Sequence, residues 1–469
     1  MSHLPVPDPI AIEPMSHRRI RRLAVPVVAE YTLQVSVVTV NTWLVSAAGD
    51  LALAAVGVAN PILYILIAVF AAISTGATVL VAQAHGAQRP DRVNQVARQA
   101  ITWGILLVIP LSAACYLLTP TLVRLFGDDP GVHTEAITYL HVISATVIVL
   151  FLAILCGGIL RGTSDGRTPL VAAILANIGG LVASWVLIEG HLGVPGYGVA
   201  GAAWGSVIGR GVGLAYLLGR MITGGTTVSL AGWQGWRPHL PVGKQIFRLG
   251  IPAAIEHLSN ESGFAVLTML VAALGASVMA ANQIAFTALE IWFLTSLALS
   301  ITLTALTGQS YGARRPHDAL VAARIIRRWT LAWTGFGMVV LAAFPRPVLR
   351  LFTDSPDVVD AGVNLMRVIA VLLPCFGMLL LTTGALRGSG DTRSPMVRSV
   401  VATWTTVALA FAGVYWFDAG VEWVWGAYLL TIPPASWLNW RAFVRRSSVA
   451  SDDVDPEPEP SPQVAAAAT

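Results

Sequence analysis

Two stretches of this chain are copies of one another. Leu160-Arg161-Gly162-Thr163-Ser164-Asp165-Gly166-Arg167-Thr168-Pro169 returns 226 residues later as Leu386-Arg387-Gly388-Ser389-Gly390-Asp391-Thr392-Arg393-Ser394-Pro395. The same shift, without a gap, carries Arg22, Leu23, Pro26 and Glu30 onto Arg248, Leu249, Pro252 and Glu256. It also carries Gln83, Gly86, Ala87, Arg89 and Pro90 onto Gln309, Gly312, Ala313, Arg315 and Pro316. Leu125, Phe126, Asp128 and Pro130 fall on Leu351, Phe352, Asp354 and Pro356. One register held across four motifs means a duplicated unit, so the second half must repeat the fold of the first.

That unit is a membrane unit. Charged residues make up 12% of the 469 and hydrophobic residues 55%, with a mean hydropathy of +0.70, whereas soluble domains carry roughly 25% charge. Apolar runs of about 20 residues recur along the chain, each enough to cross the hydrocarbon core. The expected spans of the first repeat are about 23–47, 54–83, 100–118, 136–160, 169–188 and 202–218. Those of the second are about 249–273, 278–308, 329–349, 362–386, 395–416 and 423–440. An even number of spans per repeat gives both halves the same orientation, related by an axis along the membrane normal. The expected fold is therefore all-α and polytopic, twelve transmembrane helices in two six-helix bundles around a central cavity. Its divisions are a disordered tail (1–17), a first lobe (18–219), a linker (220–247), a second lobe (248–446) and a disordered tail (447–469).

The net charge of +4 does not point to nucleic acid, because the arginines sit in short loops, where they set topology. Arg18, Arg19, Arg21 and Arg22 place the N-terminus in the cytoplasm, and Arg441, Arg445 and Arg446 place the C-terminus there too. The expectation is a monomeric multi-pass protein of the inner (plasma) membrane, whose partners are the lipid bilayer and a small-molecule substrate. The first apolar run is too long for a cleavable signal. Cys115, Cys156 and Cys375 have neither disulfide nor metal spacing. No phosphate-binding loop or nucleophile elbow occurs, so neither an enzyme nor a nucleotide-driven pump is indicated.

Ionisable residues within spans are few and costly, which makes them the candidates for function. The first helix offers Glu30, with Gln34 and Asn41 expected on the same face. The seventh offers Glu256 and Asn260 one turn apart, and His257 and Glu261 likewise, the latter two able to pair or share a proton. A carboxylate that loads a proton or holds Na⁺ is what cation-coupled transport needs, so Glu261, Glu256 and Glu30 are the coupling candidates. Na⁺ at Glu261 or Glu256 is the one metal binding contemplated, and no other cofactor is expected. Gln283 and Glu290 share a face of the eighth helix, and Asn177 stands in the fifth, where bonding to a neighbouring helix is expected. In the duplicated loops the glycine is expected to allow a tight turn, the aspartate to cap the next helix and the arginine to anchor the membrane surface. Trp43, Trp185, Trp423 and Trp425 lie near span ends, as belt residues do. Trp292 and Phe293 lie mid-span, as packing or as a drug-binding wall.

With these residues in view, the chain resembles the multidrug and toxic compound extrusion (MATE) transporters over nearly its whole length. The resemblance rests on the duplicated twelve-span layout, Arg-Leu-x-x-Pro opening both repeats, the Gly308–Pro316 motif and Leu386–Thr392. The short loops look most like the branch named after the DNA-damage-inducible protein F. The resemblance implies export of organic cations or other amphiphiles by alternating access, in exchange for H⁺ or Na⁺. It also marks departures. Asn41-Thr42 stands where that branch commonly has Asp-Thr, and Leu181 stands where an acid follows Asn177. Glu261 resembles an acid of the sodium-dependent branch, whose partner acid in helix ten falls at Phe376. The alternative is an exporter or flippase of a lipid-linked or secreted metabolite, coupled or uncoupled, which Arg210 and Arg367 keep open.

Overall fold

The structure, a computed structural model, describes residues 15–47, 50–124, 130–190 and 195–452, with the side chains of 35–53, 60, 61, 64, 72, 189 and 450–452 outside that description. All regular elements among the described residues are helices. The first repeat supplies α1 (His17–Ala47), α2 (Asp50–Gly86), α3 (Pro90–Arg124), α4 (Pro130–Gly162), α5 (Arg167–Glu189) and α6 (Gly198–Ile222). The second supplies α7 (Leu240–Ala273), α8 (Ala276–Gly312), α9 (Pro316–Ala343), α10 (Pro345–Arg350), α11 (Pro356–Gly388), α12 (Arg393–Phe417) and α13 (Val421–Asp452). Under the 226-residue shift α2 superposes on α8 and α4 on α11, end for end. Among the described residues seven helices are long and apolar enough to cross a membrane on composition alone; the repeat extends that layout to their counterparts.

Three expectations are corrected. The ninth span was expected at 329–349, but α9 starts at Pro316 and stops at Ala343, and α10 follows. Pro345 is the cause: it removes a helical donor and pushes Phe344 out of the helical region, to φ −121 and ψ 43. The linker is shorter than 220–247, since α6 runs to Ile222 and α7 starts at Leu240. What lies between is held on α3. Arg98 donates to the carbonyls of Gln234 and Ala231 at 2.6 Å, and the Gln99 amide donates to those of Gly235 and Arg237 at 2.7 Å. The segment 447–452 is the last part of α13 rather than tail, and residues 1–14 and 453–469 lie outside the described ones.

The lobes are not cleanly separate. Val242 and Ile246, the start of α7, belong to the apolar core of the first lobe. Ile20, Leu23, Ala24 and Val27, the start of α1, are buried with Leu303, Ala319, Leu386 and Phe443 of the second. Ile20 and Ile246 occupy the same position in the two copies, so each lobe sinks the first turns of its leading helix into the other. At this same end α2 and α8 cross backbone to backbone. A Cβ on Gly86 would strike the carbonyl of Gln309, and one on Gly312 would strike that of Gln83. Small residues are what let membrane helices approach so closely.

Gly312→Val should therefore cost about 1–3 kcal/mol, the usual penalty for overpacking, and lower the melting temperature in detergent. Gly57→Val should not, because nothing lies within 4 Å of the Cβ it would add.

Candidate functional site

The duplicated loops turn out to organise buried charge. Arg161, at the end of α4, reaches Glu30 of α1, its Nη1 donating to Oε1 at 2.9 Å and Oε2 at 3.0 Å. Arg387 of α11 donates to Glu256 Oε2 of α7 at 2.9 Å. The two pairs are images under the repeat. Glu30 is 8% exposed, Arg161 7% and Glu256 4%, so neither arginine is the surface anchor expected from the sequence. Taking both charges from water together, each neutralising the other, is what makes such burial tolerable. Two coupling candidates, Glu30 and Glu256, thus carry arginine partners, and each pair staples the first helix of its lobe to the one that ends in its Leu-Arg-Gly loop.

The loop glycine also has a different reason from the one expected. Gly162 and Gly388 are helical, and a Cβ on either would press on the carbonyl of Thr78 or Thr304 in the neighbouring helix. The turn is made two residues later, by Ser164 (φ 65) and Gly390 (φ 87). The aspartates do cap: Asp165 Oδ1 accepts from the Thr168 N–H at 3.0 Å, and Asp391 Oδ1 from the Ser394 N–H at 3.0 Å. The other duplicated motif reaches across. Gln83 donates to the Gly388 carbonyl at 3.3 Å, and Gln309 to the Gly162 carbonyl at 2.8 Å. Gln309 Oε1 in turn accepts from Arg19 at 3.0 Å and from the Ser164 hydroxyl at 2.9 Å. Each lobe's glutamine therefore clasps the other lobe's Leu-Arg-Gly loop, which closes this end of the molecule.

Away from that end, the second lobe holds the carboxylates left over. Glu261 is exposed and Glu290 half-buried, and no ion pair recorded among the described residues includes either. Glu261 lies 12 residues before the end of α7 and Glu290 14 after the start of α8, about 18 and 21 Å along antiparallel helices from their shared turn. The two acids are thus at similar depth. Gln283, two turns earlier on α8, is exposed. His257 does not pair with Glu261; the charges acting on its imidazole are those of Arg387 and Glu256. Asn260 accepts from Thr403 at 2.8 Å and Ser399 at 3.3 Å, tying α7 to α12.

A run of aromatic rings lies on the same helices. Phe264, one turn beyond Glu261, sits 4.8 Å from Phe286, one turn before Glu290. The run continues through Trp425 and Tyr428 to Phe376, the last two rings 5.3 Å apart. Phe293 joins Phe376 at 6.3 Å. Trp425 is corrected from belt residue to core: it is 5% exposed and its Nε1 donates to Asn282 Oδ1 at 2.7 Å. Trp292 packs against Trp333, with centroids 4.5 Å apart. In the first lobe, Asn177 is half-buried and its amide nitrogen has no hydrogen-bond partner, contrary to expectation. Its repeat image, Thr403, bonds Asn260; the image of Asn260 is Gln34, which is exposed. Asn41 lies within α1, with its side chain outside the described residues. No cluster of metal-binding groups occurs among the described residues.

Sequence reasoning found the acids and missed the rings. The signal for the ion pairs was present, because Glu30 and Arg161 repeat under one shift. The rings come from four helices, and no local pattern joins them.

Two like-oriented six-helix lobes clasped at one end, with carboxylates set inside the spans, define a transporter built from a parallel repeat. The MatE family model matches residues 26–186 and again 252–412, the two matches displaced by the shift of the repeat. The chain belongs to the MATE family of multidrug efflux transporters, proteins that move their substrates rather than convert them. It is 26% identical over 420 residues to a probable multidrug resistance protein NorM of Thermotoga maritima, covering 88% of this chain and 89% of that one. It is 28% identical to a probable NorM of Rhizobium meliloti, covering 91% and 94%. Among solved structures, an outward-facing multidrug resistance MATE transporter of the MOP superfamily superposes with a TM-score of 0.84. That match has 21% identity and covers 93% and 96% of the two chains.

Removing one partner of a buried ion pair costs about 3–5 kcal/mol, while replacing both costs far less. Arg161→Met should therefore lower the melting temperature more than the double variant Glu30→Gln/Arg161→Met. A loss in the double variant equal to the sum of those in Arg161→Met and Glu30→Gln alone would show that the pair carries no coupling energy.

Proposed function

We propose that this chain is a secondary antiporter that exports amphiphilic organic cations by alternating access, in exchange for H⁺ or Na⁺. The observation that carries the reading is Glu261, an exposed carboxylate within a span, one turn from the start of the aromatic run. A carboxylate beside ring faces suits a delocalised cation, which gains from both charge and ring quadrupole. The same carboxylate can instead take a proton or a sodium ion, and such competition for one site is the simplest basis for exchange. Glu290 extends the polar lining at the same depth, and Gln283 extends it about 10 Å nearer the α7–α8 turn. Glu30 and Glu256 serve in this reading as the fixed charge of the clasped end. The clasp opens when the lobes rock and re-forms when they return.

The basic loops favour an inner-membrane topology with both termini in the cytoplasm, so the clasped end faces inward, and the chain works in this reading as a monomer. The relatives named for multidrug resistance agree with an amphiphilic substrate. One observation favours the second reading, an exporter or flippase of an anionic, lipid-linked metabolite. Arg210 lies mid-way along α6, half-buried, with no acidic partner among the described residues, and Arg367 of α11 is exposed.

Reconstituted into liposomes, the protein should move ethidium when a pH gradient or a Na⁺ gradient is imposed alone, and the effective gradient identifies the ion. Glu261→Gln should abolish the gradient-driven component, with Asn41→Gln as the comparison. Movement that ignores both gradients, or that survives in Glu261→Gln, would favour the second reading.

A further inference from the structure

On the flank of the molecule, where α1 passes α8 and α9, an apolar cleft of about 540 Å³ separates the lobes. Val25, Val28, Ala29 and Thr32 of α1 form one wall, and Leu299 of α8 and Trp329 of α9 form the other. Val25 is 61% exposed. The cleft takes no part in the clasp and lies away from the aromatic run.

The helix face that forms the cleft does not stop at Val25. Counting back in steps of three and four residues from Thr32 through Ala29 and Val25 leads to Arg22 or Arg21 and then to Arg18. All three arginines are exposed, and none is in an ion pair recorded among the described residues. The His17 ring, at the start of α1 one residue before this basic rim, lies 6.1 Å from that of Trp329, which lines the cleft. Thr32 lies about 20 Å along the helix from Arg18. One stripe thus runs from cations at the membrane surface into an apolar slot within the hydrocarbon.

We propose that this cleft is a binding site for an anionic phospholipid of the surrounding bilayer. One acyl chain lies in the slot, and the headgroup phosphate is held by Arg18, Arg21 and Arg22. Charge selects the occupant: a zwitterionic lipid offers these cations no net negative charge, and an organic cation is repelled by them. Basic pockets between membrane helices bind anionic headgroups on the same principle. The walls come from both lobes, so a lipid seated here touches α1 and α9 only while they keep this spacing.

Native mass spectrometry of the full chain in detergent tests the assignment, with phosphatidylglycerol and phosphatidylcholine of identical chains added together. One phosphatidylglycerol should be retained in preference. Arg18→Gln/Arg22→Gln, two surface changes outside the core, should weaken its retention by roughly ten-fold. Ala29→Trp, which fills the slot and leaves the rim intact, should do the same. Thr32→Trp repeats this test at the far end of the slot if Ala29→Trp lowers the melting temperature. Equal retention of the two lipids, or undiminished retention in the arginine variant or in a well-folded slot variant, would overturn the proposal. So would displacement of the lipid by glycerol 3-phosphate, which would mark a site for free phosphate. Displacement by ethidium would make the cleft part of the transport route and overturn it equally.

Discussion

The arrangement of this molecule depends on the crossing of α2 and α8. Gly86 and Gly312 let the two helices meet backbone to backbone, and each glycine faces the carbonyl of the other helix's glutamine. Nothing larger fits, so the separation of the lobes at this end is set by main-chain atoms rather than by rotamers that could adapt. Gln83 and Gln309 are thereby placed within reach of the opposite Leu-Arg-Gly loops. Because each lobe gives and receives the same contacts, the interface is self-complementary in the way of a two-fold dimer, though made by one chain.

The buried ion pairs act one level below the crossing. Without Arg161, Glu30 would be an unpaired carboxylate inside the protein; with it, α1 is fixed to α4 at the depth where the loop begins. The second lobe repeats the device with Arg387 and Glu256. Lobes joined at one end concentrate any rearrangement there, where the hydrogen bonds are few and mostly uncharged and lie beside the exchanged apolar turns. Such bonds net about 0.5–1.5 kcal/mol each, a scale that thermal rocking or a bound ion can offset. Fixed charge ties helices within each lobe, while exchanged apolar turns and exchangeable amide bonds hold the lobes to one another.

Much of this was legible in the sequence. The shift that relates the two loops also relates the helices, and composition made them membrane helices. The aspartate caps could be read from Asp165 and Asp391 alone. The destination of Arg161 and Arg387 was signalled only by the joint repeat of each arginine with a glutamate 131 residues before it, and an arginine beside a loop otherwise reads as a surface residue. The break of α9 from α10 was written in Pro345, but apolar content on both sides masked it. The grouping of Phe264, Phe286, Phe376, Trp425 and Tyr428 left no trace in the sequence, since period and composition describe one helix at a time.

The exchange of leading turns between lobes bears on how the protein is made. Synthesis delivers α1 to α6 first, and a lobe ordinarily folds as it emerges. Here the core of the first lobe lacks Val242 and Ile246 until α7 has been translated, while the cluster that buries Ile20 and Leu23 is incomplete until α8, α9, α11 and α13 arrive. The first six helices leave the ribosome as an unfinished body whose own leading turn belongs elsewhere. Completion of each half waits on the other, and the duplicated ancestor, having no second half in its chain, would have had to find those turns in a separate copy of itself.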